Sequence, residues 1–148
     1  EYGLPDDGNA RFLGGVAGNA GLFGTARGVV VLASEYLPGG GSLVTSSEAA
    51  EATALRTEGL EQGRGWGWQL ASTSGCSAGP ALSEEAFGHT GFTGVSVWCD
   101  PKTRHVSALL TNRNHPAQRE NDLHPLRRAF HRLAAGDVEK TDSDQLEH

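Results

Sequence analysis

The chain has 148 residues, 37% of them hydrophobic, and a net charge of −6, which sets the scale at one ordinary domain with a modest core. An acidic balance with a pI near 5.4 speaks against nucleic acid as a partner, because phosphate contacts need a basic face. No apolar run approaches the roughly 18 residues of a membrane-spanning helix, and Cys76 and Cys99 are too few for a disulfide framework.

The chain begins at Glu1 and contains no Met, as expected of a cut inside a longer protein. No basic and apolar leader opens it, so cytoplasmic, periplasmic and extracellular locations all stay open. Residues 1–24 read as turn-rich: Pro5-Asp6-Asp7-Gly8 is a turn signal, and glycines recur at Gly15, Gly18, Gly21 and Gly24. That predicts a tight, irregular loop. Thr25 is the predicted N-cap of a helix whose Val29, Leu32, Ala33 and Tyr36 share a face and which ends before Pro38. Thr45 and Glu48 have capping-box spacing and open a second helix running to Leu55.

Trp66, Trp68 and Leu70 alternate with Gly67 and Gln69, the pattern of a half-buried strand. A loop is predicted over 72–80. A second strand lies within 87–100, centred on Val95 to Cys99, and Asp100-Pro101-Lys102-Thr103 forms a turn into a third strand from His105 to Asn112. The last element is a helix from Asp122 to Ala135, with Pro125 tolerated in its first turn. Leu126, Ala129, Phe130 and Leu133 make its apolar stripe, and Arg127, Arg128 and Arg132 its solvated face. Residues 137–148 are polar and acidic without periodicity, which predicts a disordered tail ending in tag-like Leu146-Glu147-His148. Cys76 and Cys99 are expected as ordinary thiols, with pairing open to them in an oxidising compartment.

The stretch with chemistry in it is Phe87-Gly88-His89-Thr90-Gly91-Phe92-Thr93-Gly94. A strand edge stripped of side chains lets a substrate lie against backbone N–H groups, which can bind a carbonyl or an oxyanion. The plainer reading is a glycine-rich bend before a hairpin, with His89 a polar strand residue. The spacing of the histidines matches no helical or zinc-finger ligand set, no Gly-Lys-Ser/Thr follows a glycine cluster, and no Gly-x-Ser-x-Gly elbow is present. No metal or other cofactor is therefore expected.

His89-Thr90-Gly91 resembles the Lys-Thr-Gly element of serine β-lactamases and penicillin-binding proteins, class C β-lactamases in particular, with His in place of Lys. Other segments are similar to that family in the same order. They are the glycine-rich run from Gly14 to Ala26, Gly65-Trp66-Gly67-Trp68, Val97-Trp98-Cys99-Asp100-Pro101 and Leu109-Leu110-Thr111-Asn112-Arg113. The likeness runs over roughly residues 9 to 134. It implies an α+β fold of the serine β-lactamase/DD-peptidase type: antiparallel strands packed by a C-terminal helix, preceded by helices of the helical region. It also implies that the Phe92 N–H is an oxyanion-hole donor, and that His89, Thr90 and Gly91 bind substrate.

The departures from the family are as informative. No serine is followed by Lys three positions on, and neither Tyr2 nor Tyr36 opens a Tyr-x-Asn element. In the family both elements lie upstream of the segments matched here. The expectation is the C-terminal part of a serine hydrolase over residues 1–136, acting on a β-lactam, a D-Ala peptide or an ester, and inactive alone for want of nucleophile and base. Its partner is the N-terminal portion of the same hydrolase, or a second copy through an exposed strand edge. The alternative is a non-catalytic binding or structural domain that shares the fold. A histidine at position 89 lacks the permanent charge of Lys, which favours esters or peptides over carboxylate-bearing β-lactams, and histidine gains charge only in acid.

Overall fold

The computed structural model describes residues 3–116 and 121–136. Among these residues the elements run α1 (Gly8–Phe12), α2 (Ala26–Ser34), α3 (Ser46–Thr53), β1 (Gln69–Leu70), β2 (Phe87–Thr90), β3 (Ser96–Asp100), β4 (His105–Leu109) and α4 (His124–Ala134). The fold is α+β: one antiparallel sheet in the order β1-β2-β3-β4, preceded by helices and closed by α4. The predicted tail over 137–148 lies outside the described residues, and no described helix is long and apolar enough to cross a membrane.

Two helices begin where their caps dictate. The Thr25 hydroxyl accepts from Gly28 N–H at 3.1 Å, satisfying one of the orphan donors at the start of α2. At α3 the box is complete: Thr45 Oγ1 accepts from Glu48 N–H at 3.3 Å, and Glu48 accepts from Thr45 N–H at 2.8 Å. Thr45 Oγ1–H also donates to the Glu48 carboxylate at 2.7 Å, and this bond first, with the backbone one second, holds the Glu48 carboxyl below its usual range.

The sheet is a divider between two cores, because successive strand residues face opposite ways. On one face, Leu70, Phe87 and Cys99 pack against Ala33 and Leu37 of the α2 segment, with Tyr36, Trp68, Val97 and Val106 around them. Tyr36, Trp68 and Phe87 form an edge-to-face series, with centroids 5.1 and 5.2 Å apart. On the other face, Trp98 is sealed under Cys76, Ala78, Leu82 and Ala86 from the long β1–β2 connection. Trp98 Nε1–H donates to Ser77 Oγ at 3.1 Å, so its one polar atom is satisfied. Cys76 and Cys99 are both buried free thiols on opposite faces, and burial pushes the Cys99 thiol up to about 12.

Several expectations are corrected. Residues 87–100 hold two strands rather than one, so the sheet has four strands where three were predicted. The break is the glycine-rich segment itself, which turns the chain back from β2 into β3. The first strand is only Gln69–Leu70: residues 64–69 form a tight turn closed by Gly65 N–H on Trp68 O at 2.9 Å, which leaves Trp66 exposed beneath Arg56. Within the predicted N-terminal loop, Asp7 caps the short α1 by accepting from Ala10 N–H at 2.7 Å.

The largest correction concerns α4. Its apolar stripe points outward, with Leu126 49% and Leu133 54% exposed, while His131 is fully buried. Arg127 and Arg128 are half-buried rather than solvated: Arg127 donates to Gly91 O at 2.8 Å and Arg128 to Cys76 O at 2.7 Å. The sheet face below α4 carries Ser96, Ser107 and loop carbonyls, so the helix turns its donors inward to meet acceptors.

Candidate functional site

The four residues singled out in the sequence are contiguous at the end of β2 and in the loop after it. On one side β2 pairs along its whole length with β3, from Phe87↔Cys99 to Thr90↔Ser96. On the other side β1 reaches only Phe87 and Gly88. The edge at His89 and Thr90 is therefore open to a ligand strand among the described residues. Gly88 makes this strand possible, because a Cβ there would overlap the Val97 carbonyl and the Trp98 ring.

The loop is three residues long, Phe92, Thr93 and Gly94. Gly91 N–H donates to Val95 O at 2.8 Å, and Gly94 N–H donates back to Gly91 O at 3.0 Å. Gly94 takes φ +117°, in the region only glycine enters cheaply, as a three-residue hairpin loop requires. Phe92 is 59% exposed, and its N–H meets no acceptor among the described residues. That is the condition for an amide that is to bind an incoming oxygen.

His89 is exposed, and its Nδ1 lies 2.7 Å from Thr90 O. A carbonyl accepts only, so the contact assigns the ring hydrogen to Nδ1 and leaves Nε2 as an acceptor in the neutral ring. Thr90 is half-buried and lines a cavity of about 270 Å³, together with Gln69, Cys76, His124 and Arg127. Arg127 Nε is buried there without a partner among the described residues. The lining of this cavity carries Arg64 and Arg127 against the carboxylate of Glu61, a net positive charge that suits an acidic group of a ligand.

Arg127 and His124 are functional candidates that the sequence pattern did not single out. The signal was present: His124, Arg127, Arg128 and His131 recur at helical spacing and form one polar stripe. It was masked by the stronger apolar stripe on the opposite side of the same helix.

A second polar cluster sits deeper. His131 lies between Ser96 Oγ, 2.8 Å from Nε2, and Ser107 Oγ, 2.8 Å from Nδ1. Burial, then the nearby His105, then Arg127 push its imidazole down to about 4. A serine at this distance from a histidine looks like a nucleophile and its base. However, Ser96 is 2% and Ser107 6% exposed, so no substrate reaches either, and the cluster joins α4 to the sheet instead. At the far end of β3, Asp100 instead ties the β1–β2 connection to the sheet, with Ser83 Oγ donating to its Oδ1 at 2.7 Å and Ser83 N–H to its Oδ2 at 3.0 Å. Burial works to raise its carboxyl, but bonds from Ser83, Lys102 and Thr103 outweigh burial and hold it low.

Comparison with known proteins decides the family. Residues 2–132 match the Beta-lactamase family. The chain belongs to that family. Among relatives of the Beta-lactamase fold, a protein of Salmonella gallinarum named "Putative D-alanyl-D-alanine carboxypeptidase" is 34% identical over 107 residues, 70% of this chain and 25% of that protein. One of the same name from Escherichia coli strain K12 is 32% identical over 107 residues, again 70% and 25%. The crystal structure of a β-lactamase from Mycobacterium bovis superposes with a TM-score of 0.61 at 25% identity, covering 78% of this chain and 46% of that one. The chain thus spans about a quarter of the length of the curated relatives it matches. Family membership bears out the resemblance to β-lactamases and penicillin-binding proteins at the level of the family.

Proposed function

We propose that the chain is the C-terminal, substrate-strand part of a serine hydrolase, with residues 1–136 as the portion that belongs to the hydrolase domain. The observation that carries this reading is the Phe92 N–H, which meets no acceptor among the described residues and belongs to an exposed residue beside the open edge of β2. Membership of the Beta-lactamase family, and a coverage of about a quarter of the relatives, support it. In the reaction the enzyme's base takes the serine hydroxyl proton as the serine oxygen attacks the carbonyl carbon of a β-lactam, a D-Ala peptide or an ester. The C=O pair moves onto oxygen as an oxyanion, which the Phe92 N–H stabilises. The pair returns, the alcohol or amine leaves with a proton from the enzyme's base, and water hydrolyses the acyl-enzyme. The serine and the base come from the N-terminal portion of the same hydrolase, and no cofactor takes part.

In this reading His89, Thr90 and Gly91 line the substrate. His89, with Nδ1 on Thr90 O, offers an acceptor at Nε2, where Lys would offer only donors. That favours a neutral substrate group or a hydroxyl beside position 89. Arg127 supplies positive charge on the Thr90 side, so carboxylate-bearing D-Ala peptides stay within reach.

The test is Phe92→Pro in the complete hydrolase, which deletes the donor. Acylation, followed by the burst of p-nitrophenol from an ester, is expected to fall about 10²- to 10³-fold, while thermal unfolding checks the fold. A folded variant that acylates at the wild-type rate removes the oxyanion role. The non-catalytic reading would gain if the complete protein, like the chain alone, forms no acyl-enzyme.

A further inference from the structure

We infer that Arg127 and Arg113 are positioning residues for the oxyanion donor: their guanidinium groups hold the two peptide planes that flank Phe92. This rests on the oxyanion role of the Phe92 N–H and adds what aims it.

Every carbonyl of the loop is taken. Gly91 O accepts from Gly94 N–H at 3.0 Å and from Arg127 Nη2 at 2.8 Å. Phe92 O accepts from Arg113 Nε at 2.6 Å, Thr93 O from Arg113 N–H at 3.0 Å, and Gly94 O from Thr111 Oγ1 at 2.8 Å. The same Arg113 guanidinium lies 4.6 Å over the Phe92 ring and reaches Asn121 O at 3.3 Å. Arg113 thus ties the loop to the end of β4, and Arg127 ties it to α4.

Planarity turns these bonds into an aiming device. In a trans peptide the N–H points opposite to the C=O of the same unit. Gly91 O and Phe92 N–H belong to one unit, so drawing the carbonyl towards α4 turns the N–H away from α4, towards the side where a substrate carbonyl would arrive. The loop needs such a hold. Glycine at both ends offers little intrinsic resistance to rotating the planes between them. Hydrogen bonds with a charged donor are shorter and stronger than neutral ones, and a cation on the carbonyl polarises the amide so that its N–H donates more strongly. Arg113 fixes the next unit through Phe92 O, so Phe92 is held from both sides. Lys is a poor replacement in this geometry, because its compact ammonium lacks the fixed fork of the guanidinium.

The experiment is pre-steady-state acylation of the complete hydrolase with a neutral ester that has no carboxylate, which removes any direct ion pair with Arg127. Arg127→Gln and Arg113→Gln are read beside Phe92→Pro. Each Gln variant is expected to slow acylation by about 10- to 50-fold, less than deleting the donor outright, with KM within about threefold because ground-state binding is not the target. Arg127→Lys should recover part of the Arg127→Gln loss. The Phe92 amide 1H–15N resonance should move in both Gln variants. If Phe92→Pro acylates normally, the oxyanion reading fails and this one with it. If Phe92→Pro is impaired while Arg127→Gln acylates at the wild-type rate with an unmoved Phe92 resonance, only the role of the arginine falls. Should Arg127→Gln not fold, Arg113→Gln is judged by the same two readouts.

Discussion

The two faces of the sheet are held by different physics. Under α2 the contacts are apolar: Ala33, Leu37, Leu70, Phe87 and Cys99 pack together, and Phe87 continues into Trp68 and Tyr36 as an edge-to-face series. Burial of this kind is non-directional and scales with area. Under α4 the apolar part is confined to Trp98 and its small neighbours, and the helix itself is attached by donors and acceptors. Such a junction gains little net stability per bond but is costly to break, because each lost partner strands a buried polar group. The candidate site belongs to the second face. Geometry at Phe92 depends on directional bonds from α4, which area alone would not fix.

This contrast can be tested from the largest effect downward. On the α2 face, Phe87→Ala should remove about 3–5 kcal/mol, measured by urea unfolding at neutral pH. A loss under 1 kcal/mol would mean that the apolar face contributes far less than its packing implies.

The α4 face should show itself through acid. Burial pushes the His131 imidazole down to about 4 from its ordinary 6.5, so the native state favours the neutral ring. A depressed histidine leaves stability intact above pH 6.5 and removes it as pH falls from 6.5 towards 4, about 3 kcal/mol in all for a shift from 6.5 to about 4. Asp100, also held low, adds a loss in the same direction at more acid pH. Unfolding free energy measured at intervals across that window, in wild type and in His131→Leu, gives the comparison. The variant should start lower, with Ser96 and Ser107 stranded, and should lack the slope between 6.5 and 4. An equal slope in both would detach the acid response from His131.

The smallest effect is expected at the outward stripe of α4. Leu133→Lys should change the stability of this chain by no more than about 0.5 kcal/mol, since Leu133 is 54% exposed. A loss above 2 kcal/mol in a thermal or urea scan would show that the stripe is covered in solution, and the outward orientation of α4 would be wrong.

What the sequence by itself determined lies within a few residues of its cause. Thr25 and the Thr45–Glu48 pair start α2 and α3 because cap bonds close over three positions. Asp100-Pro101 returns β3 into β4 because turn chemistry is equally local. His89, Thr90, Gly91 and Phe92 stood out because glycine spacing and a family motif are legible in one short segment. Tertiary structure alone decided which side of α4 faces the sheet. Two stripes compete there, apolar Leu126, Ala129, Phe130 and Leu133 against polar His124, Arg127, Arg128 and His131, and periodicity ranks the apolar one first. The polar stripe wins because Ser96, Ser107, Cys76 O and Gly91 O wait for it, 35, 24, 52 and 36 positions away in the chain. No local pattern carries pairings at that range, and the aim of the Phe92 amide depends on one of them.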